Sequence, residues 1–453
     1  MGGTQSTNYA SLEDALRGEQ ATWGVPGITV GILQNGKQRF YASGSLNVVT
    51  GTPIATGSIL QIGSISKVFL ATMIMRLVEA GKVTLDEPLA TFLPDLKLID
   101  PTLPSRLTLR HMLNHMSGIL GDHFPDEGRG DDALAVSISK LGELPQIIEP
   151  DVAWSYCNLG FMIAGRVAEV VTGKTFEQLM QDEVFGPLKL DPITYFPDEA
   201  ILHSAAAGHQ AGNNGQMEIA RPYAISRCSN PAGGIVTSTE NLLRFAAFHI
   251  GDGTVDGEQV LSEESLREMQ AVQATVNDRQ QWGIGWALSS IDGIKTIGHG
   301  GATNGQQALL TIVPEKGYAI AVLTNSNKGS YAAAAITKWA IAHDLGLVQP
   351  EPEQITLADS QLARFAGEYR QPLASISIVT SETGLTATVT PHNPFTNEPG
   401  EATDYHLAPI SCCSFVVTDE AGKGNRADFL DGASMEEPPA FVRFGSRLSR
   451  REQ

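Results

Sequence analysis

Two strand-length runs, 28–33 (Ile-Thr-Val-Gly-Ile-Leu) and 38–42 (Gln-Arg-Phe-Tyr-Ala), flank Gln34-Asn35-Gly36-Lys37. An Asn-Gly pair tolerates the positive φ angles of a tight turn, so this segment predicts a β-hairpin. The period then changes. From Ser64 to about Ala80 the apolar spacing is helical, and it stops at Gly81, a residue that ends helices without steric penalty. This segment is apolar nearly all round, which predicts a helix buried inside a larger body. Further helical patterns cover 107–116, 159–172 and 176–185, among Pro/Gly loops that extend from about 85 to 225. Strand patterns return at 286–288, 295–297, 308–313 and 319–324, and 331–345 is again helical. Strands at both ends with helices between them predict an α+β body whose sheet is assembled from distant segments.

A Pro/Glu-rich stretch at 348–356 breaks the pattern and predicts a linker. Beyond it, short alternating runs dominate at 375–379, 385–389, 414–418 and 440–444, with turn residues between them. They predict a small all-β domain resembling a partial barrel. The expected division is therefore 1–347, a linker at 348–359, and 360–453. No internal repeat at a fixed period is found.

The 453-residue length allows a sizeable core and more than one domain. A formal charge of -19 argues against nucleic acid or an anionic membrane as partner, since both need a basic face. The first residues, 1–8, are polar and lack the basic-then-apolar order of a secretory leader. No run of 18 apolar residues occurs, so no membrane span is expected. Of the four cysteines, none forms a C-x-x-C pair, and no metal-ligand cluster is seen, so no cofactor is expected. Cys412 and Cys413 are expected on opposite faces of a strand. A reducing, cytoplasmic location is the simplest reading of this cysteine usage.

The candidate chemistry begins with Ser-Ile-Ser-Lys, which occurs twice, at Ser64–Lys67 and at Ser137–Lys140. Ser-x-x-Lys alone is expected by chance on the order of once, so context must separate the two. Ser64 opens the buried helix, where free backbone N–H groups and the positive end of the helix dipole face whatever it attacks. Lys67 shares a face with Ser64, and an apolar core lowers a lysine pKa and makes neutral amine available as a base. Ser137–Lys140 lies in a polar-flanked segment and is read as a solvated helix turn. A second element is Tyr156-Cys157-Asn158; no other tyrosine here has asparagine two residues on. Tyr156 can share a proton with Lys67 and pass it to a leaving group. Asn158 can hold Lys67 or bind a substrate amide carbonyl, with helix capping as its plain alternative. The third element is His299-Gly300-Gly301-Ala302, after the 295–297 strand. Gly300 and Gly301 let a strand edge approach a ligand, and the N–H groups of Ser64 and Ala302 can form an oxyanion hole. His299 can bind a substrate carboxylate or assist proton transfer. His249, at the end of a helical pattern, is read as an ordinary capping residue.

Together these three elements resemble the serine β-lactamase and penicillin-binding-protein superfamily. The similar branch holds class C β-lactamases, D,D-peptidases, D-aminopeptidases and family VIII esterases. Val25-Pro26-Gly27, Leu113 to Gly118, Ala232-Gly233-Gly234 and Trp282 to Trp286 add to the resemblance, which covers about 15–345. It implies an antiparallel sheet flanked by helices plus a helical region, with the site between them. It also implies Ser64, Lys67 and Tyr156 for chemistry, Asn158, His299, Gly300 and Gly301 for substrate, and Ser64 with Ala302 for the oxyanion. Phe365 to Arg370 and Phe441 to Phe444 resemble the lipocalin-like domain appended to some of those peptidases.

The chain also departs from the family. Ser66 stands where many relatives have Thr, Pro150-Asp151 replaces a common Pro-Gly, and His115-Met116-Ser117-Gly118 replaces His-Thr-Ser-Gly. At 299, class C β-lactamases tend to carry Lys and family VIII esterases Trp, while His resembles the peptidase and aminopeptidase members. The resemblance therefore implies hydrolysis of a small amide or peptide, with D-amino acids as candidates. Carboxylesterase, β-lactamase and a catalytically dead binding protein are the alternatives. Neither G-x-S-x-G nor H-E-x-x-H occurs, which sets aside α/β-hydrolases and zinc proteases. The expected partner is a small-molecule or short-peptide substrate, with no nucleic acid and no membrane; a homo-oligomer stays open.

Overall fold

The computed structural model describes residues 9–212, 215–382, 384–392, 398–419, 422–432 and 437–452. The segment 1–8, on which the reading of the leader rests, lies outside them. Among the described residues, nine strands form one antiparallel sheet in the order Ala274–Thr275, Gln281–Trp282, Ala287–Ile291, Ile294–Thr303, Gln306–Val313, Tyr318–Thr324, Gly27–Gln34, Lys37–Asn47 and Thr52–Pro53. The sheet thus joins the N-terminal hairpin to strands almost 300 positions later, with Ile28 opposite Thr324 and Gln34 opposite Tyr318. Asn35 and Gly36 take φ of 50° and 76°, as an Asn-Gly hairpin turn requires.

One face of the sheet is covered by Leu12–Trp23 and Gly329–Leu345, where Ile28, Val30 and Ile32 pack with Ala332, Ile336 and Ala340. The other face meets a larger helical core that includes Leu242, Phe245 and Ala246 of the helix Thr239–Ile250. At the centre of that core runs Ser66–Glu79, preceded by one 3-10 turn, Gly63–Ile65. From Ser66 to Met75 every residue of this helix is buried, as its all-round apolar pattern predicts. The 176–185 segment is α-helical only over Phe176–Met180. It then widens to a π-helical turn, Gln181–Phe185, where Glu183 meets Arg76 at 2.9 Å and Phe185 meets Phe69.

Eight further strands, Gly367–Gln371 to Arg447–Arg451, close into a barrel because the first pairs with the last. Phe365, Tyr369, Phe415 and Phe429 fill its centre. The barrel is complete rather than partial. Four of its strands, Gly367–Gln371, Thr403–Pro409, Arg426–Leu430 and Arg447–Arg451, escaped the sequence reading because charged residues interrupt their alternation. Cys412 and Cys413 do not straddle a strand. They sit in the turn before Ser414–Val417 with sulfurs 3.6 Å apart, since that turn brings neighbouring side chains to one side.

The barrel docks on the larger α+β body through polar contacts. Tyr156 N donates to Ser446 O at 3.0 Å, Leu448 N to Ser155 Oγ at 3.2 Å, and Asn277 Nδ2 to Asp428 Oδ2 at 3.0 Å. Among the described residues no helix is long and apolar enough to cross a membrane.

Candidate active site

The 3-10 turn that carries Ser64 exists because Gly63 takes φ of +52°, a conformation costly for a side-chain-bearing residue. Space forbids a side chain there too. A β-carbon at Gly63 would lie 2.4 Å from Ala302 N, and one at Gly301 would lie 3.0 Å from Ser64 N and 1.8 Å from Ile62 O. These glycines therefore allow the strand Ile294–Thr303 to pass against the turn, with Ser64 N and Ala302 N on adjoining segments. The His-Gly-Gly-Ala element lies inside this strand and not after it. Glycines at 300 and 301 still pair in register with Leu309 and Ala308.

Lys67 is fully buried. Its Nζ donates to Ser64 Oγ at 3.0 Å and to Ala232 O at 2.5 Å. Burial holds its pKa well below the ordinary lysine value, and the nearby Arg447 charge pushes the same way. Burial thus makes the amine easier to deprotonate, and in its neutral form the contact reverses, Ser64 Oγ donating to Nζ, whose lone pair can take the proton. Ser66, in place of the more usual threonine, still uses its hydroxyl: Ile235 N donates to Ser66 Oγ at 3.1 Å.

The ring of Tyr156 lies 5.2 Å from Lys67 Nζ. Burial raises its pKa above the ordinary phenol value, against a smaller lowering from the Ser64 hydroxyl. It stays a phenol, able to relay a proton but not to serve as a standing base. His115 braces this loop. In a left-handed conformation (φ 64°) it stacks on Tyr156 with centroids 4.3 Å apart, and its Nδ1 accepts from Cys157 N at 2.9 Å. Asn158 is not the helix cap. Cys157 holds that position, its Sγ accepting from Gly160 N, and Asn158 is the first helical residue with its amide turned to Asp122 Oδ1 at 2.7 Å.

His299 is buried, and its Nδ1 donates to Gly300 O at 2.5 Å. Burial pushes its pKa down to about 3, so the ring is neutral. Nε2 then carries a lone pair and has no partner among the described residues. Such an atom accepts a hydrogen bond from a substrate N–H, whereas binding a carboxylate would need the cationic ring.

Ser64, Tyr156, Asn158, His299, Gly300, Gly301 and Ala302 all line one cleft of about 970 Å³. Trp154 and Trp282 form an apolar wall, and Gly422, Lys423, Asn425, Ser446 and Arg447 of the barrel line the cleft as well. Sequence reasoning missed Asp122 and Arg447. Arg447 lies 380 positions from Lys67, and no local pattern points to it.

The second Ser-Ile-Ser-Lys is not assembled as a pair. Lys140 turns outward to Glu127 at 2.5 Å. Ser137 is buried, not solvated, because its side of the Ala133–Ser139 helix packs inward with Leu134 and Ile138. His249 is also buried rather than capping at the surface. It donates to or accepts from Thr72 Oγ1 at 3.1 Å, and burial pushes its pKa down to about 3.

His115, His249 and His299 all have lowered pKa values in the folded chain. Below about 6.5 the unfolded chain binds protons that the folded chain refuses, so stability rises with pH from about 3 to about 6.5. The expected slope is ~1.4 kcal/mol per pH unit for each histidine. Urea unfolding at pH 5, 6 and 7 checks this. The midpoint should climb, and His249→Gln should flatten the climb; an unchanged slope would refute the assignment.

A sequence profile of the family described as Beta-lactamase matches residues 12–344. Penicillin-binding protein 4 of Amycolatopsis lactamdurans is 35% identical over 345 residues, 75% of this chain and 90% of that protein. A D-aminopeptidase of Cereibacter sphaeroides is 27% identical over 330 residues, 68% of this chain and 58% of that protein. Among solved structures, SurE superposes with a TM-score of 0.75 at 23% identity, covering 97% of this chain and 98% of that one. The octameric penicillin-binding protein homologue from Pyrococcus abyssi gives 0.66 at 21%, covering 97% and 99%. These two likenesses concern the fold, and they span the barrel as well as the catalytic body.

Proposed function

The chain belongs to the β-lactamase family and is a serine hydrolase of that superfamily, and from this premise we propose that it cleaves small amide or peptide bonds through an acyl-enzyme on Ser64. The observation that carries the proposal is the 3.0 Å contact from buried Lys67 Nζ to Ser64 Oγ. The neutral amine takes the hydroxyl proton as Oγ attacks the substrate carbonyl carbon. The carbonyl oxygen becomes an oxyanion facing the N–H groups of Ser64 and Ala302, a charge that fixed backbone dipoles stabilise without reorganising. As the C–N bond breaks, the leaving nitrogen takes a proton from Lys67, directly or through Tyr156. Water then attacks the ester on Ser64, with the same groups acting in reverse.

Two features support an amide over an ester as the substrate. His299 and Asn158 both line the cleft, and His299 Nε2, buried and unpartnered among the described residues, and the Asn158 amide oxygen are acceptors, which select N–H donors such as a peptide N–H or an amine. The aminopeptidase relative, named for D-amino acids, makes an N-terminal D-residue the first candidate.

Initial rates on a D-amino-acid p-nitroanilide, a short-chain p-nitrophenyl ester and a chromogenic cephalosporin test the reading, with Ser64→Ala as control. Ser64-dependent release from the anilide is expected. Cleavage of the ester alone would replace the amidase reading with carboxylesterase, and cleavage of the cephalosporin alone with β-lactamase.

A further inference from the structure

Asp122 adjoins the cleft, its side chain 3% exposed, between two residues that line it, Asn158 and Arg447. Asn158 Nδ2 donates to its Oδ1 at 2.7 Å. Arg447, from the barrel, donates Nε to Oδ2 at 2.5 Å and Nη2 to Oδ1 at 3.0 Å. A carboxylate gripped by two guanidinium N–H groups can only accept hydrogen bonds. The Asn158 atom facing it must therefore be the amide nitrogen, which turns Oδ1 away from Asp122 and leaves it for the cleft. The same guanidinium lies over the Tyr156 ring, its Cζ 4.9 Å from the centroid.

We propose that Asp122 is a positioning residue of the acyl-transfer site: it fixes the Asn158 amide with its acceptor oxygen toward the cleft, and Arg447 supplies the countercharge that lets it lie buried there. The inference rests on the Ser64 reading and adds that the catalytic centre is built across both parts of the chain. A buried carboxylate alone would be costly, and the partly buried guanidinium supplies the charge that offsets it. Each makes the other tolerable, and together they bind the barrel hairpin to the loop before Asn158. The pair also adjoins Lys67. The charged or titratable groups around that amine are Arg447 on the barrel hairpin, Asp122 on its loop, Tyr156 and Cys157, His115 and His299. Asp122 favours the protonated amine and Arg447 disfavours it.

This opposition separates positioning from mere stapling. The probe is a fluorophosphonate, which phosphonylates an activated serine by displacing fluoride. Its second-order rate at Ser64 is measured from pH 5 to 9 in the full-length chain and in Asp122→Asn, Arg447→Gln and the double variant. Asp122→Asn should slow labelling by about tenfold or more, because a displaced site group costs reactivity. It should also move the acid limb to lower pH, while Arg447→Gln moves it to higher pH. The double variant buries no unpaired charge and remains readable if a single variant does not fold. It should restore the limb but stay slow. Wild-type rates in Asp122→Asn and in the double variant, or limbs that move the same way in both single variants, would overturn the proposal. Failure of the wild-type chain to label at Ser64 would instead overturn the reading beneath it.

Discussion

Ser64→Ala should lower turnover on the order of ten-thousand-fold or more, while Ser137→Ala leaves it unchanged. Losing the nucleophile removes the whole covalent path, and what survives is the modest help that binding and an oxyanion hole give to water. The paired expectation follows from geometry, because both serines open the same four-residue sequence. Ser64 receives a hydrogen bond from a buried amine at the start of a buried helix. The Ser137 hydroxyl has no hydrogen-bond partner among the described residues, and its Lys140 is held at the surface by Glu127. Ser137→Ala removes a buried unpaired hydroxyl, so its stability should hold or rise slightly. Equal losses in the two variants, by the same rate assay, would contradict the assignment.

Lys67→Met should lower kcat by about a hundredfold to ten-thousandfold, the usual contribution of a positioned base. Methionine fills the buried space without a charge or a donor. Activity falls with acid because protonating Lys67 removes its lone pair. The sign follows from its lowered pKa: the neutral amine is present above that pKa and lost as pH falls through it. Lys67→Met should therefore lose the acid limb along with the rate. Lys67→Arg should do no better, since a guanidinium stays protonated throughout. Tyr156, held as a phenol by burial, should contribute no limb in the acid range. A pH–rate profile of each variant reads these outcomes, and an intact acid limb in Lys67→Met would assign the base elsewhere. Stability should be unchanged or higher in Lys67→Met, as often happens when a buried polar group of an active site is replaced by an apolar one.

Much of this site was legible because its chemistry is local in sequence. Ser64 and Lys67 lie one helical turn apart, Tyr156 and Asn158 flank one residue, and His299 to Ala302 are contiguous. The hairpin at Asn35-Gly36 and the buried helix were legible for the same reason, since turn chemistry and an all-round apolar pattern are short-range signals. What stayed hidden depends on distant contacts. Asp122 sits in a loop without a periodic pattern, and Arg447 looks like one more charge in a charged strand. Only closure of the barrel against the Trp154–Asn158 loop brings them together. The capping alternative for Asn158 does not hold: Cys157 caps through its sulfur, and that frees the Asn158 side chain to meet Asp122. The neutral state of His299 could not be read from its sequence neighbours either, because it follows from burial beside Lys67.

The most direct test of the acyl-enzyme is a mass measurement. The chain is mixed with a p-nitrophenyl ester, quenched in acid within the first turnovers and digested, and the peptides are weighed. The account predicts one acyl group on the peptide that carries Ser64 and none in Ser64→Ala. An acyl group on Ser137 or on a cysteine, or turnover undiminished in Ser64→Ala, would contradict it.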